Sequence, residues 1–323
     1  MSRDRRPCPR SSGQALPCLS GCSRRPCEAS GILNIDKPGG WTSHDVVARV
    51  RRLTGQRRAG HAGTLDPFAT GVLLVCLGQA TRVSEYLMAA RKLYRARIRF
   101  GAATDTYDVT GTVTAETAAI PESREAIEAL LPRFTGRILQ APPAYSALKL
   151  EGEPAYRRAR RGEAATPVAR PVEIYAIEVL SWTPPDVEID VLAGKGTYIR
   201  SLAHDLGLAA GSAAHLAALQ RRSVGHFAID EAIPMTDLET QAAEGVWQDL
   251  LHPLDEALLQ YAALVVSSEV VARVLHGQPI EAGVPEEGAL RRVYGPDGEF
   301  VALVRGDQAG GTWDPHKVFV PCA

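Results

Sequence analysis

The 323-residue sequence contains no run of eighteen apolar residues and no apolar stretch near its start. Neither a membrane-spanning helix nor a secretory signal is predicted, and a soluble, intracellular protein is expected. Cysteine is scarce: Cys8, Cys18, Cys22 and Cys27 fall in the first 29 residues, while Cys76 and Cys322 are isolated. None of these spacings is the C-x2-C of a zinc site, and an intracellular chain keeps such thiols reduced, so they are assigned no role. The sequence also lacks GxxxxGK[ST], a GxGxxG opening a helix, HExxH and GxSxG. Nucleotide hydrolysis, dinucleotide redox chemistry and zinc hydrolysis thereby lose their motif support.

The formal net charge of −1 by itself argues against a nucleic-acid partner, but the charge is unevenly placed. From Arg49 to Arg99, eleven Arg or Lys stand against only Asp66 and Glu85, a local excess of +9. Such a field suits a polyanionic substrate, the alternative being a solvated basic face without function. Within it, residues 60–71 read GHAGTLDPFATG. Three glycines, two threonines and a proline around one acid compose a fixed, irregular loop. Residues 72–77 are apolar enough for a buried strand, which puts Asp66 on a loop leading into the core. A buried carboxylate is costly unless paired or chemically used; the plainer reading makes Asp66 the cap of a helix beginning at Pro67. Used chemically, an Asp serves as nucleophile or base. Burial raises its pKa, while a partner Arg lowers it and keeps the acid ionised and aimed. Of the eight histidines only His61, five residues before Asp66, is placed to act, or else is a structural loop residue.

Residues 1–30 are rich in Arg, Pro, Ser, Gly and Cys without an apolar period. They are expected to be a disordered extension or to follow from a start site placed too early, with a basic RNA-contacting or targeting tail as the alternative. Ile32, Leu33 and Ile35 then predict a strand. Thr42 with Asp45 predicts a helix start, and the stripe Val46, Val47, Val50 and Leu53 ends before Gly55. Residues 81–90 read as a short helix. Residues 94–100 alternate strictly, Tyr94, Ala96, Ile98 and Phe100 one way and Arg95, Arg97 and Arg99 the other. That strand offers three guanidinium forks suited to phosphate, and an aromatic such as Tyr94 suits the face of an extruded base. Residues 101–111 read as a polar loop with Asp105 and Asp108, 121–131 as a helix, 155–161 as a basic helical turn, and 172–180 and 187–192 as strands. A glycine turn at 194–197 opens a helix over 198–208, followed by an Ala-rich helix over 212–219 and a strand over 224–229. Past about residue 264, short strands and tight turns predict a compact β-barrel module of charge −3.

Five stretches, GILNIDKPGGWTSHDVV (31–47), GHAGTLDPFATGVLLV (60–75), KLYRARIRFGAATDTYDVTG (92–111), PPAYSALK (142–149) and GKGTYIRSLAHDLG (194–207), resemble in order and spacing the bacterial TruB-type tRNA pseudouridine synthases. The resemblance implies an α+β fold: a mixed, largely antiparallel sheet with flanking helices over 31–260, and a small PUA-like β-barrel over 261–323. It implies isomerisation of uridine 55 in the T loop of tRNAs, with neither cofactor nor metal, by a cytoplasmic monomer with no obligatory protein partner and no membrane association. Carried over by position, Asp66 is the catalytic acid, attacking the ribose or the base of a flipped uridine. Tyr94 stacks on the uracil and assists proton removal, and Arg200 is the partner guanidinium of Asp66. His61 enters the space the base leaves, Tyr198 and Asp108 line or brace the pocket, Lys37 is structural or substrate-adjacent, and Lys149 matches without an assigned role. Deletion beyond about residue 260 is expected to weaken binding and spare the chemical step. The rivals are a non-catalytic RNA-binding or tRNA-folding protein, and a guide-RNA-dependent synthase of the archaeal and eukaryotic branch.

Overall fold

The computed structural model describes residues 29–143, 149–150, 153–154 and 168–320. Strand β1 (Gly31–Lys37) leads to helix α1 (Ser43–Thr54). The Thr42 hydroxyl accepts the Asp45 N–H at 3.1 Å while the Asp45 carboxylate accepts the Thr42 N–H at 2.9 Å. This reciprocal cap satisfies two donors that a helix start leaves orphaned. Gly55, left-handed at φ 68°, closes the other end, and Val46, Val47 and Val50 are buried. The start, stripe and stop expected of this helix are therefore all present.

The chain continues through β2 (Ala59–His61), β3 (Thr70–Leu77), α2 (Ser84–Ala89), β4 (Lys92–Phe100), α3 (Arg124–Glu128), β5 (Gly136–Gln140), β6 (Arg170–Thr183), β7 (Asp186–Ala193), α4 (Ile199–Ala209), β8 (Ala214–Val224), β9 (Phe227–Ala228), β10 (Ile233–Pro234) and α5 (Met235–Glu244). The strands form one mixed sheet in the order β10–β1–β3–β8–β4–β7–β6–β5, with β2 beside β3 and β9 beside β8. Strand β3 is buried on both faces, which explains its unbroken apolar run. Leu73, Val75 and Leu77 pack with α1 and α4 in one core, and Val72, Leu74 and Cys76 pack in a second.

Two half-sheets meet where β3 runs parallel to β8, through only the pairs Thr70–Gln220 and Gly71–Arg221. The approach there requires glycine: Gly71 has φ 98°, and a Cβ on it would lie 2.3 Å from the Arg221 carbonyl oxygen. A single row of opposed residues crosses this seam, from Lys37 on β1 through Gly71 and Arg221 to Tyr94 on β4 and Val191 on β7.

Four expectations are corrected. Residues 212–219 are not a helix: Ala214–Val224 is β8, filling the gap between β3 and β4. The helix preference of alanine, under about 1 kcal/mol per residue, yields to nine residue pairs with β4 and to the burial of Ala214, Leu216 and Leu219. The strand expected at 224–229 is the end of β8, a turn at Gly225, and β9. Residues 121–131 hold only α3 and then a separate 3-10 turn, Leu131–Phe134, at which Pro132 supplies no N–H for an α pattern. Residues 81–90 likewise split into a 3-10 turn, Gly78–Arg82, and α2.

At the C-terminus β11 (Ala262–Val265), β12 (Leu290–Tyr294), β13 (Phe300–Asp307) and β14 (Thr312–Val318) form a four-stranded sheet in chain order, with helix α6 (Ser268–Leu275) beside it. It has its own small core around Val293, Val304 and Trp313. It is also fastened to the main body. Leu303 and Phe319 are buried in one cluster with Ile32, Leu74 and Val83. Lys317 Nζ donates to Arg82 O at 2.6 Å and to the Glu85 carboxylate. Among the described residues no helix is long and apolar enough to cross a membrane. The basic turn expected at 155–161 and the side chain of Lys149 lie outside the described residues.

Candidate active site

Asp66 caps no helix. It opens a single turn, with the Ala69 N–H bonded to Asp66 O at 3.1 Å and Pro67 in the second position, and β3 begins directly at Thr70. The backbone around it is held from three directions. Leu65 is bracketed by Ser43 Oγ, which donates to its carbonyl at 3.1 Å and accepts its N–H at 2.9 Å. Pro67 O accepts from Gly40 N at 2.8 Å and from Lys37 Nζ at 3.2 Å. Gly63 O and Thr64 O accept from Arg221 at 3.2 and 3.4 Å. Lys37 also donates to Pro38 O and Trp41 O at 2.8 and 2.7 Å, so its three protons all meet carbonyls. Burial pushes this ammonium down to about 8. A loop fixed in this way fixes the direction of its one carboxylate.

Arg200 arrives from the far half-sheet. Gln140 at the end of β5 brackets the start of α4, its Oε1 accepting the Tyr198 N–H at 2.8 Å and its Nε2 donating to Tyr198 O at 3.0 Å. Ser201 Oγ donates to Ala141 O at 2.7 Å. Between these anchors the Arg200 guanidinium meets Asp66 side-on: Nη2 donates to Oδ1 at 3.0 Å, and Nε lies 2.9 Å from Oδ2. Its Nη1 donates to Thr106 O at 3.3 Å and lies 3.4 Å from Asp108 Oδ2. The other oxygen of Asp108 is held on the far side, Oδ1 accepting from Thr106 Oγ1 at 2.8 Å, Thr110 N at 2.9 Å and Thr110 Oγ1 at 2.5 Å. The neighbouring Tyr107 takes an unusual left-handed backbone, φ 63°. Its ring stacks on His204 of α4 at 4.0 Å with planes 9° apart, which seats the Asp108 loop one helical turn from Arg200.

Asp66 is the member of this trio that reaches solvent. Its side chain is 32% exposed, against 7% for Arg200 and 4% for Asp108. Burial raises its pKa, Arg200 opposes this, and the like charge of Asp108 adds to the rise. The result is a carboxylate that is aimed, accessible and more basic than a free one, able to serve as nucleophile or base.

His61 ends β2 at the head of the loop, half-buried and edge-on to His44 with centroids 5.4 Å apart. Burial, helped by His44 and Arg221, lowers its pKa and favours the neutral ring. Tyr94 is half-buried on β4, opposite Arg221 in register, and Tyr198 is half-buried at the α4 N-cap. The structure thus brings Asp66, Arg200 and Asp108 into contact, ties Lys37 to their loop through Pro67, and sets Tyr94 in the same row as Lys37. Ser43, Gln140 and Arg221 were missed by sequence reasoning. Their one signal is a polar residue at a position where the pattern calls for burial, and Arg221 beside Arg222 reads as ordinary surface charge. Among the described residues no three His, Cys, Asp or Glu cluster as a metal site requires.

The strand of three arginines is not a free phosphate-binding face. Arg95 donates twice to Asp190, each at 2.9 Å, and Arg99 twice to Asp186, each at 2.8 Å. Arg97 stands opposite Glu188. The acids of β7 alternate in step with the arginines of β4, so cross-strand ion pairs engage two of the three guanidinium groups and Glu188 stands opposite the third.

Residues 51–199 match the family model of the TruB family pseudouridylate synthase N-terminal domain, residues 200–259 that of the tRNA pseudouridylate synthase B C-terminal domain, and residues 262–310 that of the pseudouridine synthase II TruB C-terminal region. The chain is 41% identical over 290 residues to tRNA pseudouridine synthase B of Dehalococcoides mccartyi, covering 90% of this chain and 96% of the relative. It is 42% identical over 277 residues to that of Pseudomonas aeruginosa, covering 85% and 91%. Among solved structures it is similar to a chain in an H/ACA RNP bound to a substrate RNA containing 2'-deoxyuridine, with TM-score 0.69, 28% identity, and coverage of 90% of this chain and 85% of that one. A chain of a Cbf5–Nop10–Gar1 complex gives TM-score 0.69 at 30% identity with the same coverage.

Proposed function

Because the chain belongs to the TruB family of pseudouridine synthases, we propose that it converts uridine 55 in the T loop of tRNAs to pseudouridine, with Asp66 as nucleophile on a flipped base. The coarser statement needs no proposal: relatives 41% and 42% identical over most of their length are tRNA pseudouridine synthases, and this chain is an isomerase acting on tRNA. The observation that carries the finer reading is the side-on pairing of solvent-reaching Asp66 with buried Arg200.

The reaction is an isomerisation. The bond from ribose C1' to N1 of uracil breaks, the base turns, and C1' bonds to C5; the C5 proton leaves and N1 gains one. No electrons are gained or lost, so a carboxylate and proton-transfer groups suffice. The target base must leave its stack, Tyr94 stacks on its face, and Asp66 adds to the ribose or the base. Arg200 keeps Asp66 ionised and aimed, and Asp108 braces Arg200 from behind. Tyr94 assists removal of the C5 proton, His61 fills the gap left by the flipped base, Tyr198 lines the pocket, Lys37 holds the Asp66 turn, and Lys149, in a matching motif, is assigned to substrate binding. We assign residues 31–260 to catalysis and 261–323 to a PUA-like RNA-contacting module. The protein acts in the cytoplasm as a monomer without an obligatory protein partner.

A second reading is favoured by the similarity to chains in H/ACA particles: action that depends on a guide RNA and partner proteins. Both are tested on an unmodified tRNA transcript, with the intact chain and Asp66→Asn, no metal or nucleotide added. Conversion at the T-loop uridine by the intact chain alone supports the proposal. Binding without conversion favours the guide-dependent reading or a non-catalytic tRNA-folding protein.

A further inference from the structure

We infer that Arg221 is a positioning residue for this reaction, a buried guanidinium that sets the Asp66 turn at its distance from the strand carrying Tyr94. The inference rests on the proposed roles of those two residues. Arg221 is 1% exposed, and among the described residues no carboxylate pairs with it. Its donors go to backbone instead: Nε to Val72 O at 2.7 Å, Nη1 to Thr64 O at 3.4 Å and Nη2 to Gly63 O at 3.2 Å. These carbonyls flank Asp66 on both sides of the chain, so one rigid, planar group grips both ends of the loop. The residue is equally fixed at its own backbone. It stands opposite Tyr94 on one side and Gly71 on the other, at the two-pair seam between the half-sheets. Any shift of the loop must therefore move the guanidinium, and any shift of the guanidinium must move relative to Tyr94.

A buried cation without an anion is unfavourable for folding, and a set of neutral donors could satisfy three carbonyls. What a neutral side chain lacks is the reach and planarity to hold all three from one point. Burial is the main cause that lowers the pKa of His61 and Lys37, and the positive field of Arg221 adds to it at both.

The test uses Arg221→Lys and Arg221→Ala in the full chain, with three readouts: single-turnover pseudouridine formation, tRNA affinity, and hydrogen–deuterium exchange. A misplacement of about 1 Å relative to the reacting atoms lowers a rate by up to about 100-fold, and we expect a loss of about 10- to 100-fold in both variants with tRNA affinity within about twofold of wild type. We expect faster exchange confined to residues 62–70, and partial recovery of Arg221→Ala by low concentrations of guanidinium. Wild-type rate in Arg221→Lys, or a rate loss matched by equal losses of tRNA affinity and melting temperature, overturns the inference. If the wild-type chain converts no uridine the proposed function fails, and exchange in residues 62–70 still decides whether Arg221 holds the loop.

Discussion

Asp66 and Arg200, 134 positions apart, meet along two edges, Oδ1 on Nη2 at 3.0 Å and Oδ2 beside Nε at 2.9 Å. A lysine keeps the charge but not the planar fork that sets the rotation of the carboxylate. Arg200→Lys is expected to lower the chemical rate by about 100-fold with tRNA affinity nearly unchanged, as measured by single-turnover conversion at saturating tRNA.

Asp66 holds its proton more tightly in the fold than in the unfolded chain, because burial outweighs the pull of Arg200. A raised acid contributes stability that is full below the unfolded pKa and lost as pH rises through the folded one. At neutral pH its ionised form is therefore a net cost. Asp66→Asn is expected to be inactive yet to melt no lower than wild type at pH 7, and to lose that advantage on acidification toward the ordinary Asp value of about 4. Calorimetry across this range checks the sign. The acid limb of the wild-type rate profile should lie above the value for a free carboxylate.

Lys37 is the opposite case, a base depressed to about 8 by burial. Its contribution to stability is present above its unfolded value and lost as pH falls through the folded one, so the protonated form strains the fold at neutral pH. The same proton supplies the third bond to the carbonyls around the Asp66 turn. Activity is expected to decline above pH about 8, and in Lys37→Met that limb should vanish from a lower, flatter profile.

Arg95 and Arg99 are engaged by Asp190 and Asp186. A lost phosphate contact would reduce the salt dependence of binding by about 0.7–0.9 in log–log slope. Arg95→Ala and Arg99→Ala are expected to leave that slope and the affinity essentially unchanged. Binding isotherms at several salt concentrations decide this.

Phe319, 2% exposed, seals the apolar cluster shared by the C-terminal sheet and the main body, with Arg82 over its ring at 5.0 Å. Phe319→Ala should destabilise the protein by about 3–5 kcal/mol, read by denaturant unfolding. Removal of residues 261–323 would uncover the same cluster, so truncation is expected to lower the melting temperature as well as tRNA affinity.

Local chemistry was readable wherever the chain carries its own instructions. Thr42, Asp45 and Gly55 specify α1 by themselves, and the strict alternation of residues 94–100 specifies β4. What could not be read was set by neighbours. The alanines at 213 and 214 and at 217 and 218 favour a helix in isolation and become strand because a slot between β3 and β4 needs filling. Arg95 and Arg99 look like free forks until β7 brings its aspartates alongside, although the matching period of Glu188 and Asp190 was already in the sequence. Asp66 stood out by the composition of its loop, whereas Arg221 and Gln140 grip backbone, and a contact to a carbonyl leaves no trace in residue types.

The two-pair seam at Thr70–Gln220 and Gly71–Arg221 joins residues some 150 positions apart, so it closes one of the longest loops in the chain. The closure entropy for such a pairing grows only with the logarithm of the separation, about 0.6 kcal/mol per doubling, so two residue pairs suffice to hold the half-sheets in register. Until the seam forms, Asp66 and its loop have no fixed relation to Tyr94. One short parallel contact is thus the common reference for the Asp66 loop on β3 and for Tyr94 on β4.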